Sequence, residues 1–246
     1  MSWHIASVSW GKDSLAMLLK LIDTGSPLNQ VVYFDTGMEF PAIYDTRDRT
    51  LPLLDEHHIL YTELRPRNPM WWTMFCRHVH EAKPQKKPNP MNVAFKKAGM
   101  LPDGIHYGYE WCGDSCRWGT SEKNRALDKY AEERDAIVYV GIAADEKSRL
   151  AKETKPYKRH PLALWGMTEA DCLEYCNDNG FFWEQDGVQL YDVLDRVSCW
   201  CCRNKNQREL KAMHDHLPDF WERLVAMEDV LGQMKTKPLA EIGGES

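Results

Sequence analysis

The chain lacks long hydrophobic runs, a large excess of charge of one sign, and internal repeats. No apolar run approaches the ~18 residues that cross a bilayer, and the first residues enter a strand-like run without the segments of a signal peptide. The 37 acidic and 31 basic residues leave a net charge of −6, which argues against wholesale binding to nucleic acid or to a membrane surface. We therefore expect a cytoplasmic protein with no membrane partner.

Length and cysteine content narrow the class of protein further. The 246 residues suit one large α/β domain, or one domain with a small appendage. The chain has 8 cysteines. In a cytoplasmic protein such cysteines are more often reduced, metal-bound or catalytic than joined in disulfides.

Apolar strand-like runs alternate with helical patterns through much of the chain. Strands are predicted at residues 4–9, 30–35, 59–64 and 136–142, and helices at 13–23, about 41–57, and 121–134. This alternation predicts an α/β fold with a doubly wound, mostly parallel sheet, whose ligands sit at the carboxyl ends of the strands. We predict a nucleotide-binding domain over residues 1–166, with a basic insertion at about 65–104, and a helical C-terminal region over 167–246 that carries a cysteine cluster.

The insertion at 65–104 is rich in proline and in basic residues, and it contains Trp71 and Trp72. A basic stretch with interleaved aromatic residues is suited to bind a nucleotide or single-stranded RNA. A solvated charged loop with its tryptophans packed on the body fits the same composition.

The most informative stretch is Ile-Ala-Ser-Val-Ser-Trp-Gly-Lys-Asp-Ser at residues 5–14, followed at once by an apolar helical pattern. A strand, a tight glycine turn and a helix N-terminus in that order form a cradle for anions, because the first helical N–H groups have no intrahelical partner and the helix dipole favours negative charge. Lys12 adds a full positive charge. A generic strand–turn–helix junction with an exposed lysine is the alternative.

This loop is not a Walker motif, which would need glycine where Ala6 stands and Ser or Thr where Asp13 stands. It resembles instead the S-x-G-K-D-S motif of the PP-loop ATP pyrophosphatases, which cleave ATP between its α and β phosphates.

Two later segments extend the resemblance. Residues 33–41, which contain Asp35, Thr36 and Gly37, resemble the F-D-T-G-x-x-F-P motif of the PAPS reductase branch of that superfamily. Residues 141–149 resemble a segment of the same family that follows a strand and faces the nucleotide. In this chain Ala143 stands where the family often has arginine. Residues 159–171 resemble the family's following segment, in which a helix begins after a turn. The resemblance implies that nucleotide is bound by Val8, Ser9, Gly11, Lys12, Asp13, Ser14, Asp35, Thr36, Gly37, Gly141 and Glu146.

The same resemblance implies that Lys12, Asp13 and Arg149 are catalytic. It places Arg149 near a phosphate, whereas the sequence alone favours a surface ion pair between Arg149 and Glu146. Asp13 or Asp35 is a candidate ligand of Mg²⁺.

Two closely spaced pairs of cysteines, Cys112 with Cys116 and Cys199 with Cys202, are candidate ligands of one metal centre. Thiolates from two separate loops can converge on a single metal or cluster. The spacing does not distinguish the metal, but the family resemblance implies an iron–sulfur cluster of the 4Fe-4S type, because relatives that act in sulfur chemistry carry such clusters. Zinc and two sets of buried thiols are the alternatives. Cys172 and Cys176 lie four residues apart on a predicted helix, which favours core packing, and Cys76 fits an ordinary loop thiol.

The reductases that resemble this chain usually lack the loop lysine and carry a nucleophilic cysteine in an E-C-G-x-H segment, whereas this chain has Lys12 and no cysteine after Cys202. We therefore expect an enzyme that cleaves ATP to AMP and pyrophosphate and adenylates an acceptor for sulfur transfer, with nucleic acid as a candidate acceptor. The alternatives are a phosphoadenylyl or adenylyl sulfate reductase and a non-catalytic nucleotide-binding subunit. A sulfur-donor protein and a second copy of the chain are candidate partners.

Overall fold

The computed structural model describes residues 2–80, 89–111, 116, 121–197 and 199–244. Within these residues the strands are β1 (Trp3–Ser7), β2 (Gln30–Phe34), β3 (Leu60–Leu64), β4 (His78–His80), β5 (Ile105–Tyr107), β6 (Ala136–Val140), β7 (Lys158–Arg159), β8 (Glu184–Gln185) and β9 (Val188–Gln189). The helices are α1 (Lys12–Asp23), α2 (Pro41–Glu56), α3 (Met70–Phe75), α4 (Pro90–Lys97), α5 (Lys123–Glu132), α6 (Lys147–Leu150), α7 (Pro161–Leu164), α8 (Glu169–Asp178), α9 (Leu190–Val193), α10 (Gln207–His216), α11 (Pro218–Leu231) and α12 (Leu239–Gly243).

Five parallel strands form the central sheet in the order β3-β2-β1-β6-β7. Every residue of β2 is buried, which requires cover on both faces of the sheet. On one face Ile5, Val32 and Val138 pack with Ala131 of α5. Ala6 and Val31 alternate with these residues and are also fully buried. The predicted doubly wound α/β fold is therefore confirmed, with the predicted strands and helices within a few residues of their observed bounds.

The chain divides into two units. Unit 1 comprises Met1–Asp35, Glu39–Arg65 and Ser121–Glu184, and it contains the central sheet. Unit 2 comprises Thr36–Met38, Pro66–Thr120 and Gln185–Ser246, so most of the predicted insertion belongs with the C-terminal helices. These boundaries differ from the predicted domain boundary after residue 166, which stays a prediction.

Unit 2 is mainly helical in its described part. Strands β4 and β5 pair antiparallel, and the Asn92 side chain exchanges two hydrogen bonds with the backbone of Tyr107, at 2.8 and 2.9 Å. The indole of Trp111 donates to the carbonyl of Gly232 at 2.7 Å, and α4, which belongs to the insertion, packs against α11. Among the described residues no helix is both long and apolar enough to span a membrane.

Candidate active site

The loop between β1 and α1 is closed by one serine side chain. The hydroxyl of Ser14 accepts a hydrogen bond from the backbone N–H of Ser9 at 3.0 Å and donates to the carbonyl of Gly11 at 3.1 Å. Gly11 has extended backbone, and α1 begins at Lys12. The loop therefore ends at a helix N-terminus, whose first N–H groups have no acceptor within the helix. Val8, before the loop, is buried and donates to the carbonyl of Val32.

The end of β6 passes directly against the first turn of α1. A Cβ atom on Gly141 would lie 2.8 Å from Ser14 Cα and 3.0 Å from the carbonyl oxygen of Asp13. Both of these atoms are backbone, so they cannot move aside without deforming the loop. Only glycine fits at this position, and the structure thus brings Gly141 to the predicted phosphate site.

Trp10 holds the loop to the core. Its φ of 61° lies in the left-handed region that non-glycine residues rarely adopt, and its side chain is fully buried. Its carbonyl accepts a hydrogen bond from the Trp183 indole at 2.8 Å, and its ring contacts those of Tyr33 and Tyr61. Sequence reasoning gave Trp10 no role, because no pattern signals a left-handed tryptophan.

The Lys12 side chain is buried and is held by two carboxylates. Its Nζ lies 2.9 Å from Asp13 Oδ1 and 2.8 Å from Glu169 Oε2. Burial works to lower the pKa of Lys12, but Asp13 and Glu169 outweigh it, so this pKa is raised above its ordinary value. Burial raises the pKa of Asp13, with Lys12 opposing this and Glu169 and Glu146 adding to it.

Helix α8 brings Glu169 to the loop. Thr168 and Asp171 form a reciprocal capping box at its start, and the backbone N–H of Glu169 donates to Asp145 Oδ1 at 3.1 Å. The Cys176 thiol donates to the carbonyl of Lys12 at 3.4 Å. Cys176 and its helical neighbour Cys172 are fully buried, as the prediction of core packing required. Sequence reasoning noted Glu169 only as part of a resembling stretch.

Arg149 is half-exposed and forms an ion pair with Glu146, 2.8 Å away. The Glu146 carboxylate also accepts from the backbone N–H of Ala143 at 3.3 Å. The structure therefore shows the ion pair that was the alternative interpretation of these residues. Because Glu146 acts electrostatically on Asp13, the pair nevertheless lies near the loop, and a phosphate contact by Arg149 stays a prediction.

Asp35 lies at the carboxyl end of β2 and is already engaged by side chains. Its Oδ1 accepts from the Tyr44 hydroxyl at 2.8 Å, and its Oδ2 lies 3.7 Å from Arg65 Nε. Burial, followed by Asp35, raises the pKa of Tyr44 well above its usual range. Tyr44 is therefore protonated at neutral pH and donates a hydrogen bond to Asp35. Asp35 was predicted to bind the nucleotide or Mg²⁺.

Thr36 and Gly37 were predicted to bind nucleotide, and the structure assigns them to unit 2, next to the second cysteine pair. The Thr36 hydroxyl lies 3.4 Å from Cys199 Sγ, and the backbone N–H of Trp200 donates to the carbonyl of Met38 at 3.0 Å. Residues 199–202 form a turn in which the N–H of Cys202 donates to the carbonyl of Cys199 at 3.0 Å. We call residues 199–202 the cysteine turn.

The predicted metal ligands are only partly described. Cys112 lies outside the described residues, whereas Cys116, Cys199 and Cys202 are partly buried thiols without disulfides. Among the residues that the structure describes, no three Cys, His, Asp or Glu side chains come together as a metal site. Of the four predicted ligands, the described part thus places Cys199 and Cys202 together on one turn, which is fewer than a closed metal centre requires.

A buried lysine lies beside the cysteine turn. Lys205 is 2% exposed, and its backbone N–H donates to the carbonyl of Cys202 at 3.1 Å. Burial lowers the pKa of Lys205, while Glu209 and the thiols of residues 202, 199 and 201 act to raise it. Negative charge on the cysteine turn would favour the ammonium form of Lys205, which would in turn stabilise thiolates there.

The parallel sheet, the loop and the helix N-terminus together define an α/β protein with a candidate anion-binding site at the start of its first helix. The model of the phosphoadenosine phosphosulfate reductase domain family matches residues 4–180. The chain belongs to this family, and the predicted resemblance is thus confirmed.

A comparison with curated proteins found no match. Among solved structures, the chain is similar to the U34-tRNA thiolase NcsA from Methanococcus maripaludis, which was solved with its 4Fe-4S cluster. The two chains are 12% identical, and the alignment covers 99% of this chain and 80% of the other with a TM-score of 0.45.

Proposed function

We propose that this protein is an ATP-consuming member of its family that cleaves ATP to AMP and pyrophosphate. One observation carries the proposal: a buried lysine, Lys12, stands at the helix N-terminus that ends a serine-closed loop. A lysine and a helix N-terminus together suit a polyphosphate, because both present positive charge to the same anion.

In the proposed reaction an acceptor oxygen attacks the α-phosphorus of ATP. The bond between that phosphorus and the bridging oxygen breaks, pyrophosphate leaves, and the acceptor becomes adenylated. Lys12 and the N–H groups of the loop stabilise the charge that develops on the leaving pyrophosphate. Arg149 is the next candidate to contact phosphate, provided that it exchanges Glu146 for the ligand.

Mg²⁺ would neutralise phosphate charge during this step. Asp13 and Asp35 are the proposed ligands, since Mg²⁺ prefers carboxylate oxygens and phosphates. Asp13 belongs to the loop itself, and a carboxylate that already accepts one hydrogen bond, as Asp35 does from Tyr44, retains lone pairs for a cation.

Displacement of AMP by a sulfur nucleophile would complete a sulfur transfer, and nucleic acid is the proposed class of acceptor. The basic composition of residues 65–104 and their two tryptophans support this choice. A sulfur-donor protein and self-association are proposed along with it.

We further propose that the two cysteine pairs bind a 4Fe-4S cluster, with zinc as the alternative. The turn at Cys199–Cys202 and the buried cation of Lys205 support a site for anionic thiolates. Iron and acid-labile sulfide in the anaerobically purified protein would support the cluster. A colourless protein with stoichiometric zinc would instead establish the alternative.

The proposed reaction is tested by incubating the anaerobically purified protein with Mg-ATP and candidate acceptors. Pyrophosphate is expected in an amount equal to the sum of free AMP and adenylated acceptor. Formation of ADP and phosphate, or ATP binding without turnover for every acceptor, would contradict the proposal. Production of sulfite from phosphoadenylyl sulfate with thioredoxin would show a reductase.

A further inference from the structure

The Lys12 ammonium is shared by two carboxylates of different origin. Asp13 is the next residue along the chain, so it accompanies Lys12 through any movement of the loop. Glu169 is 157 residues away in the sequence and comes from α8. A second carboxylate is not needed to neutralise one ammonium, and with both in place the three side chains carry a net charge of −1.

The backbone of Glu169 is fixed while its side chain remains partly exposed. The capping box of Thr168 and Asp171 and the hydrogen bond to Asp145 hold the first turn of α8. The Glu169 side chain is 34% exposed, compared with 8% for that of Lys12. It can therefore turn toward solvent about its own side-chain bonds without unfolding the helix.

A phosphate oxygen and a carboxylate oxygen compete for the same ammonium, because both accept charge-assisted hydrogen bonds. Any anion that binds Lys12 as proposed must share it with Asp13 and Glu169 or displace one of them. The exposed and remote carboxylate is the one that can leave.

From this geometry we propose that Glu169 is an internal counter-anion of the loop between β1 and α1, which we call the phosphate loop. The Glu169 carboxylate occupies Lys12 until a polyphosphate displaces this carboxylate. The inference rests on the proposed function, in which Lys12 contacts phosphate. It also limits the substrate class: displacement requires a ligand with several negative charges, such as a triphosphate or pyrophosphate with Mg²⁺. An anion of low charge, such as sulfate, would leave Glu169 in place.

The test compares binding of Mg-pyrophosphate and Mg-ATP to the full-length protein by calorimetry. Glu169→Gln keeps the size of the side chain and removes its charge, so we expect both ligands to bind about tenfold more tightly, the effect of losing one charge-assisted competitor. Glu174→Gln is the matched control, since Glu174 is exposed on the same helix and its loss changes the net charge equally. Its affinities should equal those of the wild type.

Tighter binding is a result that damage to the fold does not produce. Glu169→Asp, whose side chain is one carbon shorter, should also bind more tightly and serves if Glu169→Gln does not fold. Equal or weaker binding by the Glu169 variants, while the wild type binds Mg-ATP, would overturn the inference and leave the proposed function intact. Absence of binding by every folded variant and by the wild type would instead refute the proposed function.

Discussion

Each unit has a buried lysine, Lys12 at the end of the phosphate loop in unit 1 and Lys205 beside the cysteine turn in unit 2, and their pKa values are shifted in opposite directions. Lys12 contacts two carboxylates, which raise its pKa above the ordinary value despite burial. Lys205 is more deeply buried, and burial lowers its pKa although Glu209 and three thiols act in the opposite direction. The two carboxylates in contact with Lys12 thus outweigh its burial, whereas burial outweighs the charges that act on Lys205.

The difference indicates two kinds of site. Around Lys12 two carboxylates more than offset the ammonium, so an incoming anion must compete with them. Around Lys205 burial outweighs the charges that act to raise its pKa, and further negative charge on the thiols would favour its ammonium. Under the proposed function, the first site would exchange anions and the second would hold a permanent anionic centre.

The largest expected effect comes from removing the lysine of the phosphate loop. Lys12→Ala should reduce pyrophosphate release by at least about a hundredfold, because the charge developing on the leaving group loses its main cation. Lys129→Ala is the control, since that side chain is 76% exposed and lies on α5. The measurement is the steady-state rate of pyrophosphate release by each variant and by the wild type. An undiminished rate for Lys12→Ala would disprove the role of Lys12.

A methyl group at Gly141 should displace the backbone of the loop, because it would collide with the first turn of α1. Gly141→Ala places a carbon atom 2.8 Å from the backbone of Ser14, and overpacking of this kind costs about 1–3 kcal/mol. We expect a lower urea midpoint and weaker ATP binding. Gly25→Ala is the comparison for a glycine with open space around it, although its positive φ adds backbone strain of its own. If Gly141→Ala binds ATP as the wild type does, the loop does not depend on this contact.

Replacing Lys205, which lies beside the cysteine turn, tests whether its buried charge costs stability. Lys205→Met removes a buried charge while keeping an apolar stem of similar length. The metal-free protein should therefore gain about 1–2 kcal/mol in its free energy of unfolding. Urea titration after anaerobic chelation measures this change, with the exposed Lys211 changed to Met as the control. A loss of stability would show that the Lys205 charge is already compensated without a metal.

The smallest expected effect concerns the cap that sets the position of Glu169. Thr168→Ala removes the side chain that accepts from the Asp171 N–H, and loss of such a cap costs about 1 kcal/mol. Thr168→Ser, which keeps the hydroxyl, should retain the stability of the wild type. Equal urea midpoints for Thr168→Ala and Thr168→Ser would show that the cap contributes nothing to α8.

The sequence was sufficient to predict the sheet and the loop because their determinants are local. Apolar runs of five residues alternate with helical patterns, and the residues of the loop from Ser9 to Ser14 are consecutive. Only the family resemblance implied that Gly141 belongs to the nucleotide site, because Gly141 approaches Ser14 through the pairing of β1 with β6. The role of Glu169 was missed because a carboxylate at the start of a helix is common, and its partner is distant in sequence.

The division of the chain into units 1 and 2 was harder to predict, because it too depends on contacts between residues that are distant in sequence. Residues 65–104 are unusual in composition, which marked them as an insertion. Their association with the C-terminal helices depends on contacts such as that of α4 with α11, and composition does not reveal tertiary contacts. The position of Thr36 beside Cys199 was likewise outside the reach of any local pattern.

The hydrogen bond between the Trp183 indole and the Trp10 carbonyl has a consequence for motion. A phosphate loop fastened only at its surface could fray and let its amide protons exchange with solvent in brief local openings. Here the residue at the centre of the loop lies entirely in the core, so opening the loop requires withdrawing a tryptophan ring from between two tyrosines. Exchange of the Ser9 amide, which donates to Ser14 inside the loop, should therefore be slow, and a ligand would enter a cradle whose shape is already set.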